Sequence, residues 1–243
     1  MNILVVNDDG YNAVGIKKLA NHLKKYGKVV VCGPDTGRSA SGHSIFLHKP
    51  ISYIYQGQEN GIEWYSISGM PADCVRLSVD LLPITFDLVF SGINNGLNLG
   101  TDIIYSGTVS AAREANIEGI PAVAISTDFD SFEIVDAELE GLLQYIIEQE
   151  LYSTSYVLNV NFPTSKFASS VGYRFCQQGL KSFKSSFRKI AENTYMESGS
   201  VITYDEREDT DVYLSNQGYI TFVPLQVEQT SIVALEELKK RIK

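Results

Sequence analysis

The chain has only three cysteines, Cys32, Cys74 and Cys176, and they form no CxxC pair. So sparse and odd a set argues against a disulfide framework and against a thiolate zinc site. Cys32 ends an apolar run and Cys74 falls in a helical pattern, so both are expected as small buried side chains. An excess of positive charge is also missing: 20 Lys and Arg stand against 29 Asp and Glu, a formal net charge of −9. Coating a nucleic acid duplex needs clustered cations, so that partner is not expected. A small anionic substrate stays open, because one bound metal ion reverses the local charge. No apolar run is long enough to span a bilayer, and no signal-peptide pattern opens the chain. No membrane partner is expected, and a reducing cytoplasm is the expected setting.

What is present is ordinary globular material, 44% hydrophobic and 20% charged, enough for a sizeable core. Asn2 to Val6 is a continuous apolar run of the kind that forms a strand buried on both faces. After Asn7-Asp8-Asp9-Gly10, a helical spacing of Ile16, Leu19, Ala20 and Leu23 runs towards a stop at Gly27. A second buried strand, Val29 to Cys32, ends at Gly33-Pro34. This β-α-β unit predicts parallel strands joined by a right-handed crossover. Between Ser44 and Ser68, three β-rich segments (Ile45 to His48, Ile51 to Tyr55, Ile62 to Ser68) predict an antiparallel excursion. The α/β rhythm then resumes. Helices are expected from Pro71, over Ser106 to Ile117 and over Glu133 to Leu151; strands over Phe86 to Phe90, Ala122 to Ile125 and Tyr156 to Val160.

Past Pro163 the character changes. Residues 164 to 200 are rich in Ser, Lys and aromatics without a clear period, and an acidic patch runs from Asp205 to Asp211. A strand from Tyr219 to Val223 precedes a closing helix with an apolar face of Ile232, Leu235, Leu238 and Ile242. The division expected is a core over 1–163 and a C-terminal extension over 164–243, not a second independent domain.

In an open parallel sheet, ligands bind outside the carboxyl ends of the strands. Three polar loops are delivered to that edge: Asn7 to Gly10, Arg38 to Ser44, and Ser91 to Gly100. Adjacent Asp8 and Asp9 repel unless something positive lies between them, and carboxylate, hydroxyl and amide oxygens suit magnesium, manganese or calcium better than zinc. An Asp-Gly turn capping a helix has the same composition; emergence straight from a buried strand favours the metal. Tyr105-Ser106-Gly107-Thr108-Val109-Ser110 opens a helix, whose free N–H groups and hydroxyls suit an anion, although an ordinary N-cap looks alike. His43 is read as a structural side chain ahead of a general acid, and the Lys and Arg of 181 to 189 as a solvated face.

Taken together, these motifs resemble the SurE family. Asn7-Asp8-Asp9-Gly10 with Ala13, Gly15 and Ile16 is similar to its amino-terminal signature, and Arg38 to Ser44 to its second loop. Ser91-Gly92-Ile93-Asn94, Gly96, Asn98-Leu99-Gly100 and Tyr105 to Val109 resemble its longest signature. Gly69, Pro71 to Val75, Thr210-Asp211, Gly218-Tyr219 and Pro224-Leu225 extend the resemblance along nearly the whole chain. Met70 departs from the family's usual Thr, and Val14 from a frequent Pro.

The resemblance implies a Rossmann-like three-layer α/β/α core with a mostly parallel sheet. It implies a phosphatase acting on nucleoside 5′-monophosphates, with 3′-nucleotides and polyphosphate as further candidate substrates. One divalent cation per subunit, Mg or Mn, is expected on Asp8, Asp9, Ser39 and Asn94. Asp8 and Asp9 are the expected catalytic acids, and Asn98, Ser106, Gly107 and Thr108 the expected phosphate-binding residues. The C-terminal segment is expected to exchange with a neighbour as an arm, giving a homodimer or homotetramer.

The alternative is a phospho-accepting receiver module, which also carries paired acids after its first strand. A receiver additionally needs an Asp ending a central strand and a Lys after another. Here Asp87 begins its strand, and Pro121 to Ser126 supplies no Lys. A dinucleotide-binding oxidoreductase is disfavoured, because no G-x-G-x-x-G follows the first strand.

Overall fold

Ile3, Leu4, Val5 and Val6 are all fully buried, and they divide alternately between two hydrophobic cores. Ile3 and Val5 face one core, Leu4 and Val6 the other, as the two-residue period of a strand requires. A sheet therefore runs through the middle, with helices on both faces.

The computed structural model describes residues 1–204 and 207–242. In chain order its elements are β1 (Asn2–Val6), α1 (Val14–Leu23), a 3₁₀ turn (Lys24–Tyr26), β2 (Lys28–Pro34), β3 (Tyr53–Glu59) and β4 (Ile62–Ile67). Next come α2 (Pro71–Leu81), β5 (Leu88–Asn95), α3 (Asp102–Tyr105), α4 (Gly107–Ile117), β6 (Ala122–Thr127), α5 (Glu133–Glu148) and β7 (Val157–Asn161). The remainder holds β8 (Gly172–Phe175), β9 (Lys181–Lys184), β10 (Phe187–Ala191), β11 (Thr194–Glu197) and β12 (Ser200–Tyr204). It closes with α6 (Asp211–Asn216), β13 (Tyr219–Leu225) and α7 (Ile232–Arg241).

Nine strands form the main sheet in the order β3-β4-β2-β1-β5-β6-β7-β13-β8. The run from β4 to β7 is parallel throughout, while β3 and β13 enter antiparallel to β4 and β7. Ile16, Leu19 and Leu23 of α1 and Leu139, Leu142 and Ile146 of α5 cover one face. Cys74 and Val75 of α2 with Val109, Ala112 and Ala115 of α4 cover the other. The fold is a three-layer α/β/α sandwich around a mostly parallel sheet. Cys32 and Cys74 are buried in it as free thiols. No helix of the described residues is long and apolar enough to cross a membrane.

Several local expectations are corrected. Ile45 to His48 forms no strand; the Phe46 N–H donates to the Asp73 carboxylate of α2 at 2.9 Å, so it is withdrawn from any ladder. β5 starts after Phe86 and runs through Ser91 to Asn95, carrying the polar segment on the strand itself. Residues 164 to 200 hold five strand starts, β8 to β12. They lack a readable period because a period records one buried face, and β10 and β11 are exposed along their whole length. The apolar face of α7 is equally exposed, with no buried residue. Asp205, the start of the acidic patch, lies outside the described residues, whereas Asp211 at its far end is fully buried.

Candidate active site

Ranked by sequence, the six parallel strands lie in the order 3-2-1-4-5-6, with β1 and β5 flanking the point where the winding reverses. At such a switch point the loops after the two strands part in opposite directions and leave a crevice. Asp8 and Asp9 follow β1, Arg38 and Ser39 follow β2, and Asn94 and Asn95 end β5. The topology alone brings these segments to one rim.

Hydrogen bonds fix them there. The Arg38 N–H donates to the Asp8 carbonyl at 2.7 Å, which ties the second loop to the first. The Asn95 N–H donates to Asp9 Oδ2 at 2.9 Å, which ties in the end of β5. Asn94 turns its amide nitrogen to the Gly96 carbonyl at 2.6 Å, so its Oδ1 remains available as a neutral oxygen donor. Ser39 is exposed beside Arg38. α1 packs close behind: a Cβ at Gly15 would lie 1.9 Å from the Ile93 carbonyl oxygen, so only glycine allows this approach.

The start of α4 comes to the same place. The Thr108 hydroxyl donates to Asp8 Oδ1 at 2.5 Å, and the Thr108 N–H also reaches that carboxylate. A Cβ at Gly107 would lie 2.6 Å from Ser41 Oγ and 2.9 Å from Asp8 Oδ2. A bare glycine is what lets the helix N-terminus approach the acid. Ser106 Oγ accepts the Val109 N–H at 3.0 Å as the helix cap, leaving its own hydrogen free to donate. Ser41 Oγ, buried against this junction, has no hydrogen-bond partner.

Asn98 plays a different part. Its N–H donates to Asn161 Oδ1 at 2.8 Å, and its side-chain amide donates to Ser126 Oγ at 2.8 Å. Its carbonyl accepts from Asn159 and Asn161 at 3.0 and 3.1 Å. Buried in this way, Asn98 braces the loop after β5 against the ends of β6 and β7, and its amide nitrogen is engaged within the protein.

The electrostatics of the acid pair are unfavourable as they stand. Burial, opposed by the Thr108 hydroxyl and reinforced by the Asp9 charge, pushes the Asp8 carboxyl up to about 6. Burial raises Asp9 as well, against the opposing Asn95 N–H. Two neighbouring carboxylates that both resist ionisation are stabilised together by a cation. Among the described residues, no group of three or more His, Cys, Asp or Glu is placed to hold a metal. The donors on this rim are two carboxylates with hydroxyl and amide oxygens, a hard set that fits a divalent cation of the magnesium, manganese or calcium kind.

Sequence reasoning missed the contacts that assemble the rim. The Thr108 hydroxyl was expected on phosphate and is found on Asp8, while the Asn95 contribution is a backbone N–H that no side-chain pattern reveals. Asp211 was expected at the end of an acidic patch. It is buried and accepts N–H groups of Gly100 and Gly179, at 2.9 and 2.7 Å, fastening the extension to the loop after β5. The Thr210 hydroxyl accepting the Tyr213 N–H is the one local signal, a helix cap, that could have placed it on α6.

A doubly wound α/β protein with an acid pair facing a helix N-terminus at its switch point is the class that fold and site define. Residues 3–185 match the sequence model of the family described as "Survival protein SurE". A protein of Clostridium botulinum named 5′-nucleotidase SurE is 40% identical over 99% of this chain and 98% of its own length. A namesake from Clostridium beijerinckii is 37% identical with the same coverage. The crystal structure of SurE protein from Aquifex aeolicus superimposes with a TM-score of 0.83, at 31% identity and 100% coverage of both chains. This chain belongs to the SurE family.

Proposed function

We propose that the chain is a metal-dependent phosphatase that hydrolyses nucleoside 5′-monophosphates to nucleoside and phosphate. Relatives at about 40% identity over nearly the full length bear the name 5′-nucleotidase, which supports the reaction. The observation that carries the reading is the meeting of Asp8 with the first turn of α4: an acid pair suited to a cation lies beside N–H groups suited to an anion.

Asp8, Asp9, Ser39 and Asn94 are the residues that would hold the cation, magnesium or manganese, one per subunit. When bound, the cation supplies a Lewis acid that polarises phosphate oxygens and makes water a better nucleophile. The protein's own groups do the rest. Gly107 lets the start of α4 come up against Asp8, and the backbone N–H groups and helix dipole there favour the negative charge of a phosphate. Ser106 has a hydroxyl hydrogen to donate to a non-bridging oxygen. Asp9, with Oδ2 on the Asn95 N–H, keeps Oδ1 to orient the attacking water or take its proton. Asn98 holds the loop between these parts. We further assign the enzyme to the cytoplasm, and the extension over 164–243 to assembly of a homodimer or homotetramer, because β10, β11 and α7 present apolar side chains that this chain does not cover.

A receiver reading is not favoured. Asp87 accepts the Asn2 N–H at 2.7 Å at the amino edge of the sheet, opposite the rim. The test is Asp9→Asn assayed on adenosine 5′-monophosphate with saturating magnesium or manganese. It should lose most activity and keep the circular dichroism spectrum of the parent. Turnover equal to that of the parent would overturn the assignment.

A further inference from the structure

Asp9 is held in place through a turn that supplies no cation ligand. The turn follows β6 and closes on itself: the Ser131 N–H donates to the Asp128 carbonyl at 3.0 Å, and the Thr127 hydroxyl to the Ser131 carbonyl at 2.7 Å. Asp128 also accepts the Ser165 N–H at 2.7 Å, which moors the turn to the segment after β7. From this braced turn Asp130 reaches the end of β5. Its N–H donates to Asn95 Oδ1 at 2.8 Å, and its own Oδ1 accepts from Asn95 Nδ2 at 3.1 Å. The backbone N–H of the same Asn95 donates to Asp9 Oδ2 at 2.9 Å.

Two details give this chain of contacts its meaning. A single hydrogen bond at the surface competes with water, but two that close a ring fix both the place and the orientation of the Asn95 amide. The peptide unit between Asn94 and Asn95 is thereby kept from turning, so its N–H stays on one Asp9 oxygen and the other is kept for a ligand. The second detail is backbone geometry. Asp130 has a φ of +53°, a left-handed conformation that glycine adopts freely and an L-residue only at a cost. A turn that needed this shape alone would be served best by glycine. Asp adds the carboxylate oxygen that Asn95 uses.

We propose that Asp130 is a positioning residue, which through Asn95 holds the Asp9 carboxylate in the orientation that receives the cation. The inference rests on the nucleotidase reading in taking Asp9 as a cation ligand. It places one control of metal affinity in the turn after β6, a residue removed from any contact with the cation.

Asp130→Gly keeps the conformation of the turn and the N–H bond to Asn95, and removes only the carboxylate. Asp130→Asn restores an oxygen acceptor on a residue type that tolerates the left-handed region. Three measurements need no turnover: hydrogen exchange of the Asn95 amide by NMR in chelator, calorimetric titration of manganese, and the melting temperature. In Asp130→Gly the Asn95 amide should exchange several-fold faster and the manganese Kd should rise about tenfold, while melting stays close to the parent. Asp130→Asn should return both values to near those of the parent. Unchanged exchange at Asn95, or faster exchange with parental manganese affinity, overturns the positioning role. So does weaker binding that comes with a collapse in melting temperature, or an Asp130→Asn protein no better than Asp130→Gly. A parent that binds no manganese, with the Asn95 amide loosened in Asp130→Gly and restored in Asp130→Asn, overturns the cation reading and leaves the hold of Asp130 on Asp9 standing.

Discussion

Nε2 of His43 lies 2.7 Å from Oε2 of Glu114, joining the loop after β2 to the second half of α4. Arg76 of α2 approaches the other Glu114 oxygen at 3.5 Å and Asp73 at 3.2 Å, and Asp73 accepts the N–H groups of Phe46 and Met70. The loop that carries Arg38, Ser39 and Ser41 is thus fastened to both helices on that face. Met70, where the family usually has Thr, has no hydroxyl to cap α2; its N–H instead closes on Asp73 at 3.0 Å.

Removing that fastening should affect the cation site more than the fold. His43→Ala is expected to cost under about 1 kcal/mol of stability, because the pair is partly exposed and Arg76 still reaches Glu114. Apparent magnesium or manganese affinity should fall about tenfold or more, as when outer contacts of a site are cut. His43→Gln, which can still donate to Glu114, should recover most of it. Melting temperatures beside metal titrations of activity decide the matter: a loss of stability with unchanged metal dependence would make the pair purely structural.

Asp8 makes the metal-free protein sensitive to pH. Its folded carboxyl titrates at about 6 against an ordinary 3.8, so the folded chain holds this proton more tightly than the unfolded chain. The resulting stability is fully present below the unfolded value and is lost as pH rises through the folded one. The size is on the order of 2–3 kcal/mol between about pH 4 and pH 7. In chelator, Asp8→Asn should remove this part of the decline while abolishing activity with metal present. Denaturant melts at several pH values measure it, and parallel curves for parent and variant would contradict a costly buried charge at Asp8.

Gly15 is expected to admit no side chain. Gly15→Ala would place a methyl carbon 1.9 Å from the Ile93 carbonyl oxygen, backbone that cannot rotate away. Either α1 lifts or the end of β5 shifts, and Asn94 and Asn95 shift with it. A loss of about 3 kcal/mol or more is expected, with activity falling further than stability alone explains. A variant melting within a few degrees of the parent would refute this close packing.

The exposed face of α7 bears on assembly. Leu235 and Leu238 are 38% and 52% exposed, and no residue of the helix is buried by its own chain. Placing Glu at both positions should reduce the mass measured by light scattering while leaving the melting of the central sheet unchanged. An unaltered mass would show that α7 does not hold subunits together.

The sequence by itself determined the parallel core and which polar loops reach one edge. Its strands are uninterrupted apolar runs, its first helices carry a 3.6-residue period, and the segments Asn7 to Gly10, Arg38 to Ser44 and Ser91 to Gly100 follow such runs, so chain direction sends them to one rim. Burial writes that information into local composition. Tertiary structure alone decided how the rim is wired: Thr108 reaches Asp8, the Asn95 N–H reaches Asp9, and buried Asp211 holds Gly100 to Gly179. It also decided that the extension forms a cleft beside the site, and that β10, β11 and α7 leave their apolar side chains uncovered. These depend on pairs of residues distant in sequence, and on faces that one chain does not bury, so no local period records them.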